Sequence, residues 1–212
     1  MLEDLKRKVL NKGAYWLSFL KLRSILKEID SSSLIIDCGA NVGDISALFL
    51  DKGARVIAFE PDPLAFNFLK SRFDGLKNMT CIQSAVSDRD GKAQLYFHKN
   101  RALTSDKEFT VCSSLIAEKI NVDELSGAEV NVLDLCKFIL DLDQRVDILK
   151  LDVEGEEIAI LKKLISVKLH EKIGLILVET HETKIPGHLN EVTQLKGLIQ
   201  KGNIKNIRLN WI

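Results

Sequence analysis

Residues 34–43 read LIIDCGANVG and decide how this chain folds. The apolar run 34–36 ends at Asp37, and two glycines, Gly39 and Gly43, bracket the turn that follows. After the turn, residues 44–50 (DISALFL) place apolar side chains at helical spacing. A buried strand that passes through a glycine turn into a helix points backbone N–H groups outward and lets a ligand approach the main chain closely. The stretch therefore predicts a binding site at the end of a central strand.

The same alternation of strand and helix continues along the chain. We predict strands at 34–38, 55–60, 79–84, 92–98, 146–151, 174–178 and 207–212, and helices at 44–51, 64–73, 131–142, 154–164 and 189–200. Residues 1–29 are predicted to form one or two helices, and residues 99–131 a polar, irregular segment. Alternating strands and amphipathic helices indicate an α/β fold, with a mostly parallel sheet and helices on both faces. We predict an N-terminal helical segment at 1–32 and one main domain at 33–212.

Composition restricts the classes of partner. The 30 basic and 30 acidic side chains cancel, so no overall field attracts nucleic acid or an anionic membrane. No stretch is apolar for long enough to span a bilayer, and the N-terminus lacks the layout of a signal peptide. The four cysteines are scattered, and Cys38 and Cys81, which sit in or beside apolar runs, are interpreted as buried thiols, as is usual in a reducing compartment. We therefore expect a cytoplasmic protein with a small-molecule partner.

The central turn differs from the dinucleotide-binding fingerprint. Its glycines are spaced GxxxG rather than GxGxxG, the spacing that fits a pyrophosphate over a helix N-terminus. Asp37 and Asp44 flank the turn, and two carboxylates suit a ligand with a cationic end, such as the ammonium and sulfonium of S-adenosylmethionine. Asp44 could equally be only a helix N-cap. A buried Asp37 needs a ligand or a backbone N–H as its partner.

Polar residues also follow the next two predicted strands. Glu60 ends the strand 55–60, roughly 20 residues past the turn, where an acidic side chain can accept hydrogen bonds from both ribose hydroxyls. Asp62 either adds to this contact or caps the following helix. Ser84 and Ala85 follow the third strand and are placed to meet an adenine edge.

A second group of acids follows the strand 146–151. Alternation places Lys150, Asp152 and Glu154 on one side of an extended segment. Two carboxylates close together could hold a metal, orient an acceptor hydroxyl or act as a base. An acid-rich helix start, which the helix dipole favours, explains the later acids of this stretch but not Asp152. We assign no metal from these residues.

His181 follows the strand 174–178 and has carboxylates beside it. Such a histidine is a candidate general base near neutral pH, although a lone histidine is often an ordinary surface residue. The carboxyl ends of parallel strands meet at one edge of a sheet, so we expect His181 near the other predicted site residues. His181 or Asp152 is the predicted base.

Three blocks, taken together, resemble the FkbM family of S-adenosylmethionine-dependent methyltransferases. They are DCGANVG at 37–43, VIAFEP at 56–61 and LKLDVEGE at 149–156, and VETH at 178–181 is similar to a later family segment. The resemblance covers residues 33–200 and implies a seven-stranded, Rossmann-like class I methyltransferase fold. That fold usually ends in a pair of antiparallel strands, of which the sequence places one, at 207–212.

The resemblance also implies an activity. It implies transfer of a methyl group to an acceptor hydroxyl, often on a sugar or a natural-product scaffold. It further implies that Gly39, Asn41, Gly43 and Glu60 bind S-adenosylmethionine, and that Asp152 with Glu154 lines the reaction centre. Two alternatives stay open, a nicotinamide-dependent oxidoreductase and a non-catalytic nucleotide-binding module of the same fold. We expect a small-molecule or saccharide acceptor and no nucleic-acid partner.

Overall fold

The structure is a computed structural model that describes residues 20, 22–99, 113–120, 122–209 and 211, with only the backbone described at 124. Residues 1–19 and 21 of the helices predicted at 1–29 lie outside the described residues. The described end of that segment contains a short 3₁₀ turn at Ile25–Lys27.

Strands and helices alternate along the described chain. The strands are β1 (Leu34–Cys38), β2 (Arg55–Phe59), β3 (Met79–Ile82), β4 (Ala85–Ser87), β5 (Gly91–His98), β6 (Val122–Asp134), β7 (Val146–Leu151), β8 (Ile173–Val178) and β9 (Ile207–Leu209). The helices are α1 (Asp44–Leu50), α2 (Pro63–Arg72), α3 (Leu135–Asp141), α4 (Glu157–Ser166) and α5 (His188–Lys201). Among the described helices, none has the length and apolar character needed to cross a membrane.

Six parallel strands form the main sheet, in the order β3-β2-β1-β7-β8-β9. The chain moves outward from β1 to β3 on one side and from β7 to β9 on the other. The strand order therefore reverses between β1 and β7, and ligands of such sheets bind beyond the carboxyl ends of the strands at that point. The register places Asp37 beside Lys150 and Cys38 beside Leu151. The residues that follow β1, in the block 37–43, and those that follow β7, in the block 149–156, therefore lie side by side.

Both faces of this sheet are buried. One face packs Ile35 against side chains of α1 and α2, such as Phe49 and Leu69. The other packs Ile36 against side chains of α3, α4 and α5, such as Leu161. Because strands buried on both faces read as continuous apolar runs, β1, β2, β7 and β8 were identifiable from the sequence. The α/β fold with a parallel sheet covered by helices is confirmed.

A second, three-stranded sheet corrects the prediction for the middle of the chain. It has the order β4-β6-β5, with β5 antiparallel to β6. The expected irregular segment at 99–131 is wrong for residues 122–131, which belong to β6, and α3 begins at Leu135 rather than at 131. β6 buries Val122, Val130 and Val132 and turns polar side chains to solvent, so its composition resembled that of a loop.

The far edge of the main sheet also differs from the resemblance. The described residues form six strands in this sheet instead of seven. The last strand, β9, runs parallel to β8 and not antiparallel. The helix α5 connects β8 to β9 and returns the chain to the end of the sheet where the strands begin. Parallel neighbouring strands require such a crossover. Residues 210 and 212 of the predicted strand lie outside the described residues.

Candidate active site

A cavity lies beyond the carboxyl ends of β1, β2 and β7, where the strand order reverses. Apolar side chains and a few polar groups line it, namely Gly39, Asn41, Phe59, Glu60, Pro61, Ser84, Ala85, Val86, Leu95, Ser113, Leu115, Asp152, Val153 and Glu154. Most of the site residues predicted from the sequence are in this lining. The exceptions are Asp37, Gly43, Asp62 and His181. An apolar cavity with a few convergent polar groups is typical of a small-molecule site.

Gly39 holds the central turn against the end of β7. Its φ angle is +74°, and a Cβ atom there would lie 1.8 Å from the carbonyl oxygen of Asp152. The backbone N–H groups of Gly39 and Ala40 both donate to the carbonyl of Phe59, at 3.0 Å. Because no side chain fits between the turn and Asp152, only glycine lets the main chain form this wall of the cavity.

Glu60 is a buried carboxyl group in the cavity wall, with 6% of its surface exposed. Its Oε2 accepts a hydrogen bond from the backbone N–H of Asn41 at 2.8 Å, and its Oε1 accepts one from Asp62 at 2.9 Å. Burial raises the pKa of Glu60 to about 8, although the two N–H donors act in the opposite direction. Each carboxylate oxygen can accept a further bond, so Glu60 keeps the capacity to bind hydroxyl groups.

Three other residues that we predict to bind the cofactor, Asp62, Ser84 and Ala85, have hydrogen-bond partners within the chain. Asp62 caps α2, because its Oδ1 accepts hydrogen bonds from the backbone N–H groups of Leu64 (2.8 Å) and Ala65 (3.3 Å). Its Oδ2 accepts a bond from Ser113 Oγ at 3.1 Å and so ties the segment 113–120 to this cap. Ser84 donates to the carbonyl of Ala85 at 2.8 Å while both residues line the cavity.

The other end of the central turn faces away from the cavity. Gly43 is the N-cap of α1, and a Cβ atom there would meet the ring of Phe73 at 2.4 Å. Asp44 is therefore not the N-cap, which corrects that alternative. Its exposed carboxylate lies 2.6 Å from Arg72 Nη1.

Asp37 lies beneath the turn rather than in the cavity lining, and it is completely buried. Its Oδ2 accepts a hydrogen bond from Ser46 Oγ at 2.6 Å, and its Oδ1 lies 3.1 Å from Lys150 Nζ. The partner of this carboxylate is thus a lysine of the neighbouring strand, where we had expected a ligand or a backbone N–H. Lys150 Nζ also donates to the carbonyl of Gly39 at 3.0 Å. Asp37 therefore contributes to the site through Lys150 and the turn.

The Lys150 ammonium remains charged in the interior. Burial lowers its pKa, but the carboxylates of Asp37 and Asp152 more than offset this and hold the pKa above its ordinary value. Sequence alternation had placed Lys150 beside Asp152, and the two side chains lie 3.5 Å apart.

The residues predicted for catalysis come together at the same edge of the sheet. His181 Nε2 lies 2.9 Å from Glu154 Oε2, 3.7 Å from Asp152 Oδ1 and 3.9 Å from Glu179 Oε1. His181 has only 3% of its surface exposed, whereas Asp152 and Glu154 line the cavity. The histidine therefore forms the buried part of an acidic cluster, and Asp152 and Glu154 form the part that faces the cavity.

Glu157 orients this cluster, a role that sequence analysis missed. Its Oε1 lies 2.9 Å from His181 Nδ1 and also accepts a hydrogen bond from the N–H of Val153 at 3.0 Å. Its Oε2 accepts one from the N–H of Gly155 at 2.9 Å. We had attributed this acid to the helix dipole alone. Its helical spacing from Ile160, Leu161 and Leu164, which are buried, was the signal that it faces inward.

Lys119 is the second residue that sequence analysis missed. Its side chain is fully buried, and its ammonium contacts Glu154 Oε2. Glu154 itself has a left-handed backbone conformation, with φ of +57°. Lys119 is 35 residues away from Glu154 in sequence and lies within the segment 99–131 that we predict to be irregular, so no local pattern indicates the contact.

The three predicted catalytic residues differ in their pKa values. Burial raises the pKa of Asp152 to about 6. Burial also acts to raise the pKa of Glu154, but His181 and Lys119 lower it to about 2. Burial acts to lower the pKa of His181, but Glu154 and Glu157 raise it to about 10. The two glutamates therefore favour the protonated imidazolium form of His181.

Comparison with known proteins agrees with this geometry. Residues 37–201 match the family model described as the methyltransferase FkbM domain. The chain belongs to the FkbM methyltransferase family. It is similar to methyltransferase sdnD of Sordaria araneosa, with 29% identity over 181 residues that cover 74% of this chain and 70% of the relative. It is also similar to 2-O-methyltransferase NoeI of Sinorhizobium fredii, with 28% identity over 144 residues, 63% of this chain and 57% of the relative. No solved structure matches it significantly.

Family membership makes this protein an enzyme that transfers a methyl group. The two alternatives, an oxidoreductase and a non-catalytic module, are therefore set aside. In this FkbM methyltransferase, the three blocks that carried the resemblance meet at the cavity, with 37–43 at the turn, 56–61 at Glu60 and 149–156 at Asp152.

We expect Asp37→Asn to lower the free energy of unfolding by about 3–5 kcal/mol, because it leaves the buried Lys150 ammonium without its counter-charge. Combining it with Lys150→Met should cost clearly less than the sum of the two single variants. Urea unfolding of the wild type and the three variants measures this coupling. As a control, the exposed pair Lys92–Glu129, 2.7 Å apart, should show almost none. Additive losses at Asp37 and Lys150 would contradict the pairing.

Glu60 should make stability depend on pH. The unfolded carboxyl ionises near pH 4.5 and the folded one only near pH 8, so unfolding releases a proton between these values. The free energy of unfolding should therefore fall as the pH rises from about 4.5 to about 8, by about 1.4 kcal/mol for each pKa unit of difference. Glu60→Gln should remove this part of the slope. Denaturant unfolding of both proteins from pH 5 to pH 8 tests it, and parallel curves would show that Glu60 is ionised throughout.

Proposed function

We propose that this methyltransferase transfers the methyl group of S-adenosylmethionine to a hydroxyl oxygen of a saccharide or a similar small molecule. The observation that carries the proposal is that a buried carboxyl group, Glu60, lines the same cavity as Asp152 and Glu154. Binding groups for a nucleoside and groups able to handle a hydroxyl proton therefore share one site.

The lining suits S-adenosylmethionine. Glu60 would hold the ribose hydroxyls, and Ser84 and Ala85 would meet the adenine, with Phe59 and Val86 as apolar walls. At Gly39 the backbone itself lines the cavity, because there is no room for a Cβ atom at this position. When bound, the cofactor supplies a methyl group on a positively charged sulfur, so the acceptor oxygen is the nucleophile and its proton must be taken up.

Asp152 is the residue best placed to take that proton. Its carboxylate is partly exposed to the cavity, and its contacts with Lys150 (3.5 Å) and His181 (3.7 Å) are long. Glu154, by contrast, is engaged by Lys119 and His181. We assign Glu154 and His181 the task of orienting the hydroxyl and holding Asp152 in position. Of the two bases predicted from the sequence, His181 and Asp152, this proposal therefore chooses Asp152.

A hydroxyl acceptor is supported by the site and by one relative. The cluster of carboxylates and an imidazole suits proton removal from an alcohol. The relative NoeI is named a 2-O-methyltransferase, which makes a sugar 2-hydroxyl the first acceptor to test.

Binding of S-adenosylhomocysteine tests the cofactor assignment. We expect the wild type to bind it in calorimetry and not to bind NAD, and we expect Glu60→Gln to weaken the affinity at least tenfold, or about 1.4 kcal/mol. The matched control is Glu129→Gln, which changes an exposed acid of β6 and should leave the affinity unchanged. Preference for NAD, or equal affinity of the Glu60 variant, would refute the assignment.

Turnover tests the role of Asp152. A panel of hexosides, each paired with its 2-deoxy analogue, is incubated with S-adenosylmethionine, and S-adenosylhomocysteine formation is followed. We expect transfer to at least one hexoside but not to its analogue, and a loss of at least about 100-fold in kcat for Asp152→Asn, the size typical of a lost general base. A variant that retains wild-type kcat would place the base elsewhere, and equal transfer to both sugars would exclude the 2-hydroxyl.

A further inference from the structure

The acidic cluster that we assign to the reaction centre has the donor set of a metal site. One donor atom from each of Asp152, Glu154 and His181 can be chosen so that all lie within 4.8 Å of one another. Two carboxylates and one imidazole are ligands that Mn²⁺ and related first-row divalent cations accept. Acidic clusters alone are common, so the inference depends on the further observations below.

The first further observation concerns the imidazole of His181. His181 Nε2 is buried and has no hydrogen bond of normal geometry to any part of the chain that the structure describes. It nevertheless faces three carboxylates, those of Glu154, Asp152 and Glu179, at 2.9, 3.7 and 3.9 Å. A buried polar atom without a properly directed partner is costly, and coordination of a cation would satisfy it.

The second observation is the fixed orientation of the ring. Glu157 contacts Nδ1 of His181 at 2.9 Å and is itself anchored by the N–H groups of Val153 and Gly155. A carboxylate on one ring nitrogen typically directs the other nitrogen toward a metal and fixes its tautomer. Glu157 would therefore be a positioning residue for the cation.

The third observation is the charge balance. The carboxylates of the cluster outnumber its cations even when His181 is counted as protonated. The acids are Asp152, Glu154, Glu157 and Glu179, and the cations are Lys119, Lys150 and His181. Lys150 is also shared with Asp37. A divalent cation at this place would offset the excess of negative charge.

We propose that Asp152, Glu154 and His181 bind a divalent cation of the Mn²⁺ or Mg²⁺ class beside the cavity that Asp152 and Glu154 line, and that the cation displaces the proton of His181 Nε2, which is released to solvent. The role of this cation rests on the proposed function, because it would bind the acceptor hydroxyl and ease loss of its proton. Asp152 has two carboxylate oxygens, so one can ligate the cation while the other receives the proton.

Binding of Mn²⁺ alone provides the test. Metal-free protein without a histidine tag is titrated with Mn²⁺, and loss of the free-ion signal in electron paramagnetic resonance measures the bound fraction. We expect one saturable site in the wild type, and at least tenfold weaker binding in Asp152→Asn and in His181→Gln. Glu157→Gln should weaken binding by about 10- to 100-fold, the range expected for a partner of a ligating histidine.

The matched control is His188→Gln, which changes another buried histidine outside the cluster and should leave Mn²⁺ binding unchanged. Circular dichroism confirms that each variant folds, and the nearly isosteric Asp152→Asn keeps the test informative if His181→Gln does not fold. Absence of saturable binding by the folded wild type would overturn the proposal. Equal affinity of the wild type and the Asp152 variant would also overturn it.

Parallel calorimetry with S-adenosylhomocysteine separates this proposal from the proposed function. Cofactor binding without Mn²⁺ binding would overturn only the metal site. Mn²⁺ binding at the cluster without cofactor binding would support the metal site and overturn the proposed use of S-adenosylmethionine.

Discussion

The buried ion pair between Asp37 and Lys150 is the constraint on which the site depends. Removing two charges from water costs several kcal/mol for each ion, and only close contact with additional hydrogen bonds offsets it. The β1–β7 register supplies this contact by placing the two residues side by side, and Ser46 and the Gly39 carbonyl complete it. A shift of either strand by one residue would send one of the two charges to the opposite face of the sheet, where apolar side chains would surround it without a counter-charge. The pair therefore fixes the register that brings the turn to Asp152.

Around this fixed centre, the ends of neighbouring strands supply different parts of the site. The turn after β1 and the end of β2 form the wall that holds Gly39 and Glu60. The segments after β7 and β8 supply Asp152, Glu154 and His181. Parallel strands place all their carboxyl ends at one edge, so residues far apart in sequence meet without long loops. The second sheet and the segment 113–120 add Leu95, Ser113 and Leu115 to the opposite wall.

Much of this arrangement was predictable because its signals are local. A continuous apolar run that ends in a polar residue marks the carboxyl end of a buried strand, which predicted the positions of Glu60 and Asp152 in the cavity lining. Glycine spacing identified Gly39, whose conformation other residues rarely adopt. The strand β6 was missed because a half-exposed hairpin strand carries too few apolar residues to stand out from a loop. Lys119 was missed because its partner, Glu154, is distant in sequence.

The sequence by itself determined the parallel α/β sheet, the position of the central turn, most of the residues that line the cavity and the family. These follow from short-range patterns, since hydrophobic periodicity and backbone preference act over a few residues. Only the tertiary structure decided which charges pair. Asp37 pairs with Lys150, Asp62 caps a helix and Glu157 contacts His181. It also surrounded His181 with carboxylates that raise its pKa to about 10, because the pKa of a buried group depends on burial and on charges brought close by the fold.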